Sequence, residues 1–533
     1  MHYKSLHHTI QIIFVAILLA LPQRLLSSTN VVSSTEERHQ KITIDELLPI
    51  IQGAVELYDF LRNDVGVYAD AARFEGAQFH PCSIASVGMG LVALCIADNL
   101  ELNDKAEEQA VQTLRAMSGK MQGYKPARNP VNGFFRHWIN MDTGAREWNS
   151  EYSSIDTAIL ISGALFCKMY FSDNKEIGRL ADALYLSIDW NAAMANATSG
   201  EIYMTFDEQG RGDLKTRPFN EYMIVAWLAK NDPRANARTT ALWQRHYENA
   251  ADLPVSSYKE IAVLTDAPGH FLSNFVIQFP MYLCYHFTSR QDYLDFARNA
   301  MLADKQWWDD NTEVPGYVWG TGAGASGFVG SGYHADNFNN NPGRVCSPHV
   351  LAGFVFVDQD VANDALGLWN NDVGVYRVPG TLQRFLWRFS VQDPSWRAAD
   401  VQGVDISTLL FGLVSHPAVL GRDFFLTYNN FNFPQPAGVK KSEAKPKDSS
   451  TIEIFPNPSN GGSAIRYTLK SPSAVSIGMY DVRGKLISAL KHAEQTQGEH
   501  VYFLNSTNMP SGLYIVQLQT DDSIASAKIL LTR

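Results

Sequence analysis

The chain has 533 residues, of which 45% are hydrophobic, and its formal net charge is −11. This length predicts roughly two to four domains, at least one with a sizeable core. The acidic balance argues against two classes of protein, because duplex nucleic acids and anionic membrane surfaces both attract basic patches, and the chain has no basic stripe. We therefore expect no nucleic-acid partner, and a neutral ligand fits the charge better.

The first residues have the pattern of a secretory signal peptide, which we place at 1–28. Lys4 supplies a positive charge, and residues 10–21 are apolar except for Gln11. This apolar stretch is too short to span a bilayer, so cleavage is favoured over its alternative, an uncleaved N-terminal anchor. No later segment combines transmembrane length with an absence of charges, so we expect no membrane span after processing.

A large helical domain is predicted over residues 41–430. Some of its helical segments, such as 84–98, are apolar nearly all round, whereas others, such as 104–117, are amphipathic. This alternation predicts an all-α (α/α)6 toroid, in which six inner helices are wrapped by six outer ones. A helical solenoid is the alternative, but no repeat of fixed length is visible. The predicted helices cover 43–62, 84–98, 104–117, 154–171, 175–189, 221–230, 238–249, 271–287 and 291–308, with weaker patterns at 347–356, 360–370, 380–388 and 405–414.

The five cysteines are widely spaced and odd in number: Cys82, Cys95, Cys167, Cys284 and Cys346. They include no Cys-x-x-Cys pair and no Cys/His ligand spacing. We therefore predict neither a zinc site nor a disulfide framework, and we expect no metal and no other cofactor. Cys95 and Cys167 lie inside apolar helical patterns and are interpreted as core residues.

The last part of the chain differs in composition from the helical domain. Residues 431–450 are rich in Pro, Lys and Ser and predict a solvated linker. Downstream, residues 451–533 predict a small all-β sandwich. Its short apolar or alternating segments, separated by glycine-containing turns, are 464–470, 475–480, 500–504 and 513–518.

Four motifs in this module occur in a distinctive order: IFPNPS at 454–459, YDVRGK at 480–485, PSGLY at 510–514 and KILLTR at 528–533. In these motifs the module resembles the type IX secretion sorting domain of Bacteroidetes. The resemblance implies that type IX secretion machinery carries the protein through the outer membrane. The module would then be removed, and the protein would be released or attached to the cell surface. The alternative is a carbohydrate-binding sandwich, which the absence of tryptophan from the module disfavours.

The densest group of candidate functional residues lies in 132–162, just before and within the start of a predicted helix. Polar and aromatic loops on a rigid scaffold often carry binding residues. Ser153 and Asp156 are spaced almost as a capping box, so Asp156 is either a helix cap or a functional carboxylate. Glu151 lies outside that cap. The candidates for binding a substrate here are Arg136, His137, Trp138, Trp148 and Tyr152.

Two further carboxylates precede or open predicted helices. Glu221 follows the potential N-cap residue Asn220, and the helix dipole would stabilise its negative charge. Asp405 could be a plain N-cap. In a toroid, however, the N-termini of the inner helices share one mouth, where such carboxylates would converge. Hydrolysis of a glycosidic bond needs two carboxyl groups. A general acid at a helix N-terminus needs burial, for example beside Phe219 and Tyr222, to raise its pKa.

Aromatic residues in predicted loops would suit the flat faces of sugar rings. Tyr222, Trp319 and Tyr333 join the tryptophans at 138 and 148 as candidate substrate-binding residues, although a single aromatic residue more often packs in a core. The glycine-rich stretch 319–327 lacks the preceding strand and the Gly-Lys-Ser/Thr ending of a nucleotide loop. We interpret it as a flexible loop at the rim of the site.

Motifs of the large domain also resemble a known family. NGFFRH at 132–137, DTG at 142–144, EYSSIDTA at 151–158 and FNEYMI at 219–224 are similar to the bacterial family once labelled "putative glucoamylases". That group includes glycoside hydrolase family 144, endo-β-1,2-glucanases with an (α/α)6 barrel and an inverting mechanism. The resemblance implies Glu221 as the general acid, Asp405 as the base that activates water, and Glu151 and Asp156 as further acidic site residues.

The chain departs from the family pattern at 321–326 and 342–348, where two acidic positions are missing. These departures leave room for a different glycan or for lost activity. The leading hypothesis is a secreted glycoside hydrolase that cleaves a β-glucan by inversion. One alternative is a non-catalytic extracellular protein that binds a glycan. The other is a polysaccharide lyase on a helical toroid, for which the candidate residues are Arg136, His137, Tyr152, His334 and His349.

Overall fold

The computed structural model describes residues 42–435 and most of 452–532, without 456, 460–461, 470–471, 482–485, 507–508 and 521–523. The predicted signal peptide, residues 436–450 of the predicted linker and residue 451 of the predicted C-terminal module lie outside the described residues. The described chain has two hydrophobic cores, one in the helical domain and one in the C-terminal module. None of the helices in the described part is long and apolar enough to cross a membrane.

The helical domain contains the α-helices predicted at most positions. They are α1 (Ile44–Leu61), α2 (Ile84–Asn99), α3 (Ala106–Met117), α4 (Ser154–Tyr170), α5 (Lys175–Leu186), α6 (Met223–Lys230), α7 (Ala237–His246), α8 (Phe275–Leu283), α9 (Tyr285–Ser289), α10 (Gln291–Asn311), α11 (Pro348–Ala352), α12 (Val361–Asn370), α13 (Ser407–Val414) and α14 (Arg422–Tyr428).

Six helices of this domain are buried on nearly all sides: α2, α4, α6, α8, α11 and α13. Each lies against the next, and α13 lies against α2 again. The amphipathic helices α3, α5, α7 and α12 pack on α2, α4, α6 and α11, while α1 packs on α13. A helix that is apolar all round must be enclosed, which accounts for the inner position of these six helices.

Short strands connect the helices, so the prediction of an all-α domain was incomplete. These strands are β1 (Ala71–Arg73), β2 (Cys82–Ser83), β3 (Trp138–Ile139), β4 (Tyr152–Ser153), β5 (Met194–Asn196), β6 (Glu201–Phe206), β7 (Gly212–Lys215), β8 (Val255–Tyr258), β9 (Ile261–Leu264), β10 (Ala323–Ala325), β11 (Tyr333–Ala335), β12 (Val345–Cys346), β13 (Val375–Arg377), β14 (Arg384–Leu386), β15 (Phe389–Ser390) and β16 (Asp400–Gln402). Most pair as two-stranded antiparallel ribbons in the loops, whereas β4, β5, β6 and β7 form one four-stranded sheet, and the strands are two to six residues long.

The helix predicted at 380–388 was wrong. Residues 384–386 form β14, which pairs with β13 so that Val375 faces Leu386 across the ribbon. The preceding Pro379-Gly380 is a turn signal, and Gly380 has a φ of +76° that an ordinary residue rarely adopts. The turn reverses the chain and places the apolar residues of 380–388 in a hairpin instead of on one side of a helix.

The predicted boundary between the helical domain and the linker also needs correction. Phe431 packs against Trp227 with a ring-centroid distance of 5.3 Å, and Phe433 lies 5.2 Å from the same ring. The Lys168 Nζ donates to the carbonyl of Asn432 at 2.7 Å. Residues 431–433 therefore complete the helical core, although their composition resembles that of the linker.

The C-terminal module is a sandwich of two antiparallel sheets, with strand orders β17-β18-β21 and β20-β19-β22-β23. Four strands were predicted, and β17, β20 and β23 were missed. Alternating burial along β18 turns Ile465 and Tyr467 towards Val475, Ile477 and Val516 in the core. The strands are β17 (Ile452–Phe455), β18 (Gly462–Leu469), β19 (Ser473–Asp481), β20 (Leu486–Gln495), β21 (Gly498–Asn505), β22 (Gly512–Gln519) and β23 (Ile524–Leu531).

Candidate functional site

His137 lies between two of the predicted catalytic carboxylates at the start of α4. Its Nδ1 is 3.0 Å from Glu151 Oε1, and its Nε2 is 3.7 Å from Asp156 Oδ1. Burial lowers the pKa of His137, but the carboxylates of Asp156 and Glu151 outweigh this effect and raise the pKa to about 9. His137 is therefore a cation at neutral pH, held between two anions.

The carboxylate of Asp156 does not cap α4. The cap is Ser153, whose Oγ accepts a hydrogen bond from the backbone N–H of Asp156 at 3.2 Å. The Asp156 side chain faces His137 instead and is 7% exposed. Burial raises the pKa of Asp156, while His137 lowers it. The capping interpretation thus explains Ser153 and leaves the Asp156 carboxylate free for another role.

Glu221 lies just before α6 and not in its first turn, because the helix begins at Met223. Phe219 has a φ of +63°, and Asn220 Oδ1 accepts from the backbone N–H of Tyr222 at 3.0 Å, which together form a tight turn around Glu221. Burial raises the pKa of Glu221 to about 7, and the negative charge of Asp156 adds to this effect. Glu221 therefore has the raised pKa that a general acid requires.

Asp405 lies before α13 and is 2% exposed. Its side chain is not the N-cap that the sequence suggested, because it accepts a hydrogen bond from the Tyr333 hydroxyl at 3.1 Å. Burial raises the pKa of Asp405 to about 7, whereas the bond from Tyr333 and the charge of Arg388 lower it. The carboxylate is thus enclosed but stabilised by a donor, and it can exchange a proton near neutral pH.

The β10–β11 hairpin brings Tyr333 to Asp405. Arg388 is fully buried and binds the hairpin through the carbonyl of Ala325 at 2.9 Å and through the carboxylate of Asp336. Residues 319–326 of the glycine-rich stretch are buried, so the prediction of a flexible rim loop was wrong there. The glycines allow this backbone to pack closely: a Cβ on Gly324 would lie 2.8 Å from Arg388 Cδ.

Asp70 is a site residue that sequence reasoning missed. It accepts a hydrogen bond from the indole Nε1 of Trp138 at 3.1 Å. Its negative charge acts on His137 and Asp156 on one side and on Asp405 on the other. Asp70 therefore lies near both groups of carboxylates, although it comes from the short segment before β1, where no motif marked it.

A row of aromatic rings extends from the carboxylates. His137 stacks on Trp138 at 3.7 Å, Trp138 meets Trp148 edge-on at 5.2 Å, and Trp148 lies 6.3 Å from His80. Trp148 is 44% exposed. A groove of about 340 Å³ continues beyond it and is lined by residues that include Phe79, His80 and Glu147. Exposed aromatic faces beside a groove suit a ligand with flat apolar faces.

Other predicted binding residues are held by internal contacts. Arg136 lies 3.9 Å above the ring of Tyr152 and also pairs with Glu208, to which the Tyr152 hydroxyl donates at 2.9 Å. These residues fix the segment before α4. Tyr222 is 6% exposed. Burial raises the pKa of its hydroxyl well above the usual range, and the negative charges of Glu221 and Asp156 add to this effect.

Trp319 does not belong to the site, so its prediction as a substrate-binding residue was wrong. The residue is 1% exposed, and its indole Nε1 donates to Asp364 Oδ2 on α12 at 2.8 Å. Its ring stacks on Phe354 at a centroid distance of 6.1 Å. Trp319 is therefore a core residue, and its hydrogen bond links the segment before β10 to the outer helix α12.

Neither the described helical domain nor the described part of the sandwich contains a group of three or more His, Cys, Asp or Glu side chains placed to hold a metal ion. The arrangement can instead supply proton transfer. It presents a cationic histidine between carboxylates and two carboxyl groups whose pKa values are raised by burial to about 7.

Solved structures share the fold of the helical domain. An endo-β-1,2-glucanase from Chitinophaga pinensis has a TM-score of 0.60 at 16% identity, over 72% of this chain and 96% of that one. A "putative glucoamylase" from Bacteroides uniformis has a TM-score of 0.59 at 17% identity, over 73% and 95%. A β-1,2-glucanase from Parabacteroides distasonis has a TM-score of 0.56 at 14% identity, over 73% of this chain and 60% of that one. Among curated protein sequences, none is significantly similar to this chain.

The C-terminal module has a family match of its own. Residues 453–532 match the family described as Secretion system C-terminal sorting domain. The chain therefore carries a type IX sorting domain, behind a helical domain with the fold of the glucanase and glucoamylase-like structures. A protein with this sorting domain is delivered by type IX secretion to the cell surface or the extracellular space.

Proposed function

We propose that this protein is a secreted glycoside hydrolase in which an (α/α)6 toroid cleaves a β-glucan by inversion. The observation that carries the proposal is the pair Glu221 and Asp405. Each precedes a different inner helix, and burial raises the pKa of each to about 7. An acid and a base that both exchange protons near neutral pH are what glycosidic hydrolysis needs.

In this proposal Glu221 is the general acid. Because its pKa is near 7, a large fraction of the carboxyl is protonated at neutral pH and can donate to the glycosidic oxygen as the bond breaks. Asp156 keeps that proton in place, since a second negative charge nearby disfavours ionisation of Glu221. His137, held by Glu151 at 3.0 Å, in turn favours the ionised form of Asp156 against the opposing effects of burial and of the Glu151 charge.

Asp405 is the proposed base. Its ionised form would accept a proton from the water that attacks the anomeric carbon on the opposite face of the sugar. The hydroxyl of Tyr333 steadies the carboxylate by donating to Oδ2 at 3.1 Å. The charge of Asp70 acts on both Asp156 and Asp405, and Asp70 would contact the sugar bound there or the positive charge that develops on its ring.

The substrate class is inferred from solved structures that share this fold. Two of the solved structures with this fold bear the names endo-β-1,2-glucanase and β-1,2-glucanase, which makes a β-1,2-glucan the first polymer to test. Trp138 and Trp148 would provide the stacking surfaces for sugar rings, with the adjoining groove taking further units. Such a glucan is uncharged, so the negative net charge of the protein does not repel it.

The test is release of reducing sugar from β-1,2-glucan and a broad panel of glycans by the full-length protein. Glu221→Gln and Asp405→Asn should each abolish measurable turnover without loss of the fold. Glu108→Gln and Asp423→Asn are matched controls, because both residues are exposed on helices of the same domain, and they should keep full activity. Activity that survives both site substitutions would refute the assignment.

A binding-only protein is the second candidate, because two acidic positions of the related family are missing at 321–326 and 342–348. Calorimetric binding of a saccharide without any product would support it. The lyase alternative gains little from the structure: His334 is paired with Asp336 at 2.8 Å, and His349 is 1% exposed beside Trp387. A product that absorbs through a new double bond would support the lyase.

A further inference from the structure

Two of the five cysteines lie side by side in the inner helices. The Sγ atoms of Cys95 on α2 and Cys167 on α4 are 3.4 Å apart, and both residues are fully buried. Both thiols also lie near the carbonyl oxygen of Leu91, at 3.4 and 3.2 Å. Cys346, by comparison, donates to the carbonyl of Trp319 at 3.0 Å.

The close approach of α2 and α4 explains the contact. A Cβ on Gly88 would lie 2.4 Å from the carbonyl oxygen of Ile159, and a Cβ on Gly163 would lie 2.1 Å from the carbonyl oxygen of Gly88. Only glycine permits such an approach of two helix backbones. Cys95 lies about two helical turns beyond Gly88, and Cys167 about one turn beyond Gly163, so both still face the shared seam.

We propose that Cys95 and Cys167 are oxidised to a disulfide that links α2 to α4 in the exported protein. The sorting domain sends the chain out of the cell, by a route on which disulfides form and persist. A disulfide bond is about 2.05 Å long, so the sulfurs must approach by roughly 1.4 Å from their present separation. Rotation of the two side chains about χ1, with a small shift of the helices, can supply that movement.

The oxidation requires a partner of defined chemistry, namely the disulfide of a thiol–disulfide oxidoreductase in the periplasm. The thiolate of one cysteine attacks that disulfide and forms a mixed disulfide, and the second thiolate then displaces the reduced oxidoreductase. The two cysteines lose two protons and two electrons, and the oxidoreductase disulfide gains both electrons and both protons as it becomes a dithiol. The bond therefore joins Cys95 to Cys167 without any external atom.

The timing follows from burial. In the folded domain neither sulfur is accessible, and burial raises the pKa of the Cys95 thiol well above its usual range, so the reactive thiolate is scarce. The bond must form before the ring of inner helices closes. Once the domain is folded, the same burial shields the bond from reductants, and the link restricts the unfolded chain between the two cysteines.

The test uses full-length protein produced by export into an oxidising periplasm. The protein is unfolded in guanidinium with an alkylating reagent, then reduced, labelled with a second reagent, digested and analysed by mass spectrometry. We expect the first label on Cys82, Cys284 and Cys346, and the second on Cys95 and Cys167. Without reduction, the joined peptides should be lighter by two hydrogens than the two free peptides together. First-label modification of all five cysteines would overturn the proposal.

Two variants complete the experiment. Cys95→Ala should expose Cys167 to the first label, whereas the matched Cys284→Ala should leave the crosslinked peptides unchanged. Labelling occurs in the unfolded state, so the result does not depend on whether either variant folds. Reductant present during refolding should lower the thermal midpoint of the wild-type protein and of Cys284→Ala by several degrees. An unchanged midpoint in both proteins would contradict a disulfide in the folded domain.

Discussion

The burial of Asp405 has a consequence for stability that can be measured without any substrate. The carboxyl is 2% exposed, and burial raises its pKa to about 7 from an ordinary value of 3.8. The folded state therefore binds this proton more tightly than the unfolded chain does. Between about pH 4 and pH 7 the stability contributed by Asp405 must fall as the pH rises, and above pH 7 this loss is complete.

The magnitude follows from the difference in pKa. Roughly three pKa units correspond to about 4 kcal/mol, because each unit is worth about 1.36 kcal/mol. About two of these units lie between pH 5 and pH 7, so the wild-type protein should lose about 2–3 kcal/mol of stability through Asp405 between pH 5 and pH 8. Asp405→Asn cannot ionise and should not show this loss.

The assay is denaturant unfolding of the wild-type protein and of Asp405→Asn at pH 5 and pH 8, followed through the helical signal. Relative to the wild type, the variant should gain about 2–3 kcal/mol in the free energy of unfolding between pH 5 and pH 8. Asp423→Asn, an exposed control on α14, should show no such gain. An equal pH dependence in the wild type and Asp405→Asn would mean that the carboxyl is solvated, and the proposed base would lose its physical basis.

Three further outcomes are expected. Tyr333→Phe removes the hydrogen bond to Asp405. Such a bond to a charged group contributes about 1.5–3 kcal/mol, and the 41% exposure of Tyr333 reduces this contribution. Because the bond lowers the pKa of Asp405, its loss should move the acid limb of the kcat/KM profile about one pH unit upwards. Arg388→Met removes the guanidinium partner of the buried Asp336 and leaves it only the contact with His334, which should cost about 3–5 kcal/mol of stability in denaturant titrations. Asp336→Leu added to it should recover part of that loss. Trp148→Ala should raise KM by about tenfold with kcat unchanged, as expected for a lost stacking surface worth about 1.5 kcal/mol; a fall in kcat alone would contradict this role.

Most inner and outer helices could be predicted because burial imposes a clear pattern on them. An enclosed helix such as α2 needs apolar residues on every side, and an outer helix such as α3 needs them on one side only. The hairpin at 384–386 was mistaken for a helix because short apolar segments fit both periods. The turn at Pro379-Gly380 is the sequence signal that favours a hairpin over a helix at this position.

The site could be predicted where carboxylates accompany helix starts. Glu221 and Asp405 were chosen in this way, although each lies before its helix and neither side chain caps it. Asp70 could not be found, because its role arises from contact with Trp138 and from charges distant in sequence. Trp319 was misassigned because an indole in a glycine-rich stretch gives no sign that its partner, Asp364, lies in an outer helix.

The contact between Cys95 and Cys167 was equally invisible in the sequence. Their separation along the chain matches no known cysteine motif, and each residue alone fits an ordinary core position. The contact depends on the glycines that let α2 and α4 approach. Long-range pairs of this kind require the tertiary structure, even where every local element is predicted.

The central claim is that Glu221 and Asp405 hydrolyse a β-glucan by direct attack of water. The most direct measurement is proton NMR of the new reducing end during the first turnovers on β-1,2-glucan, before the anomers equilibrate. Inversion predicts that the α-anomer appears first and that Asp405→Asn abolishes it. First appearance of the β-anomer would contradict the assignment of Asp405 as the base that activates water.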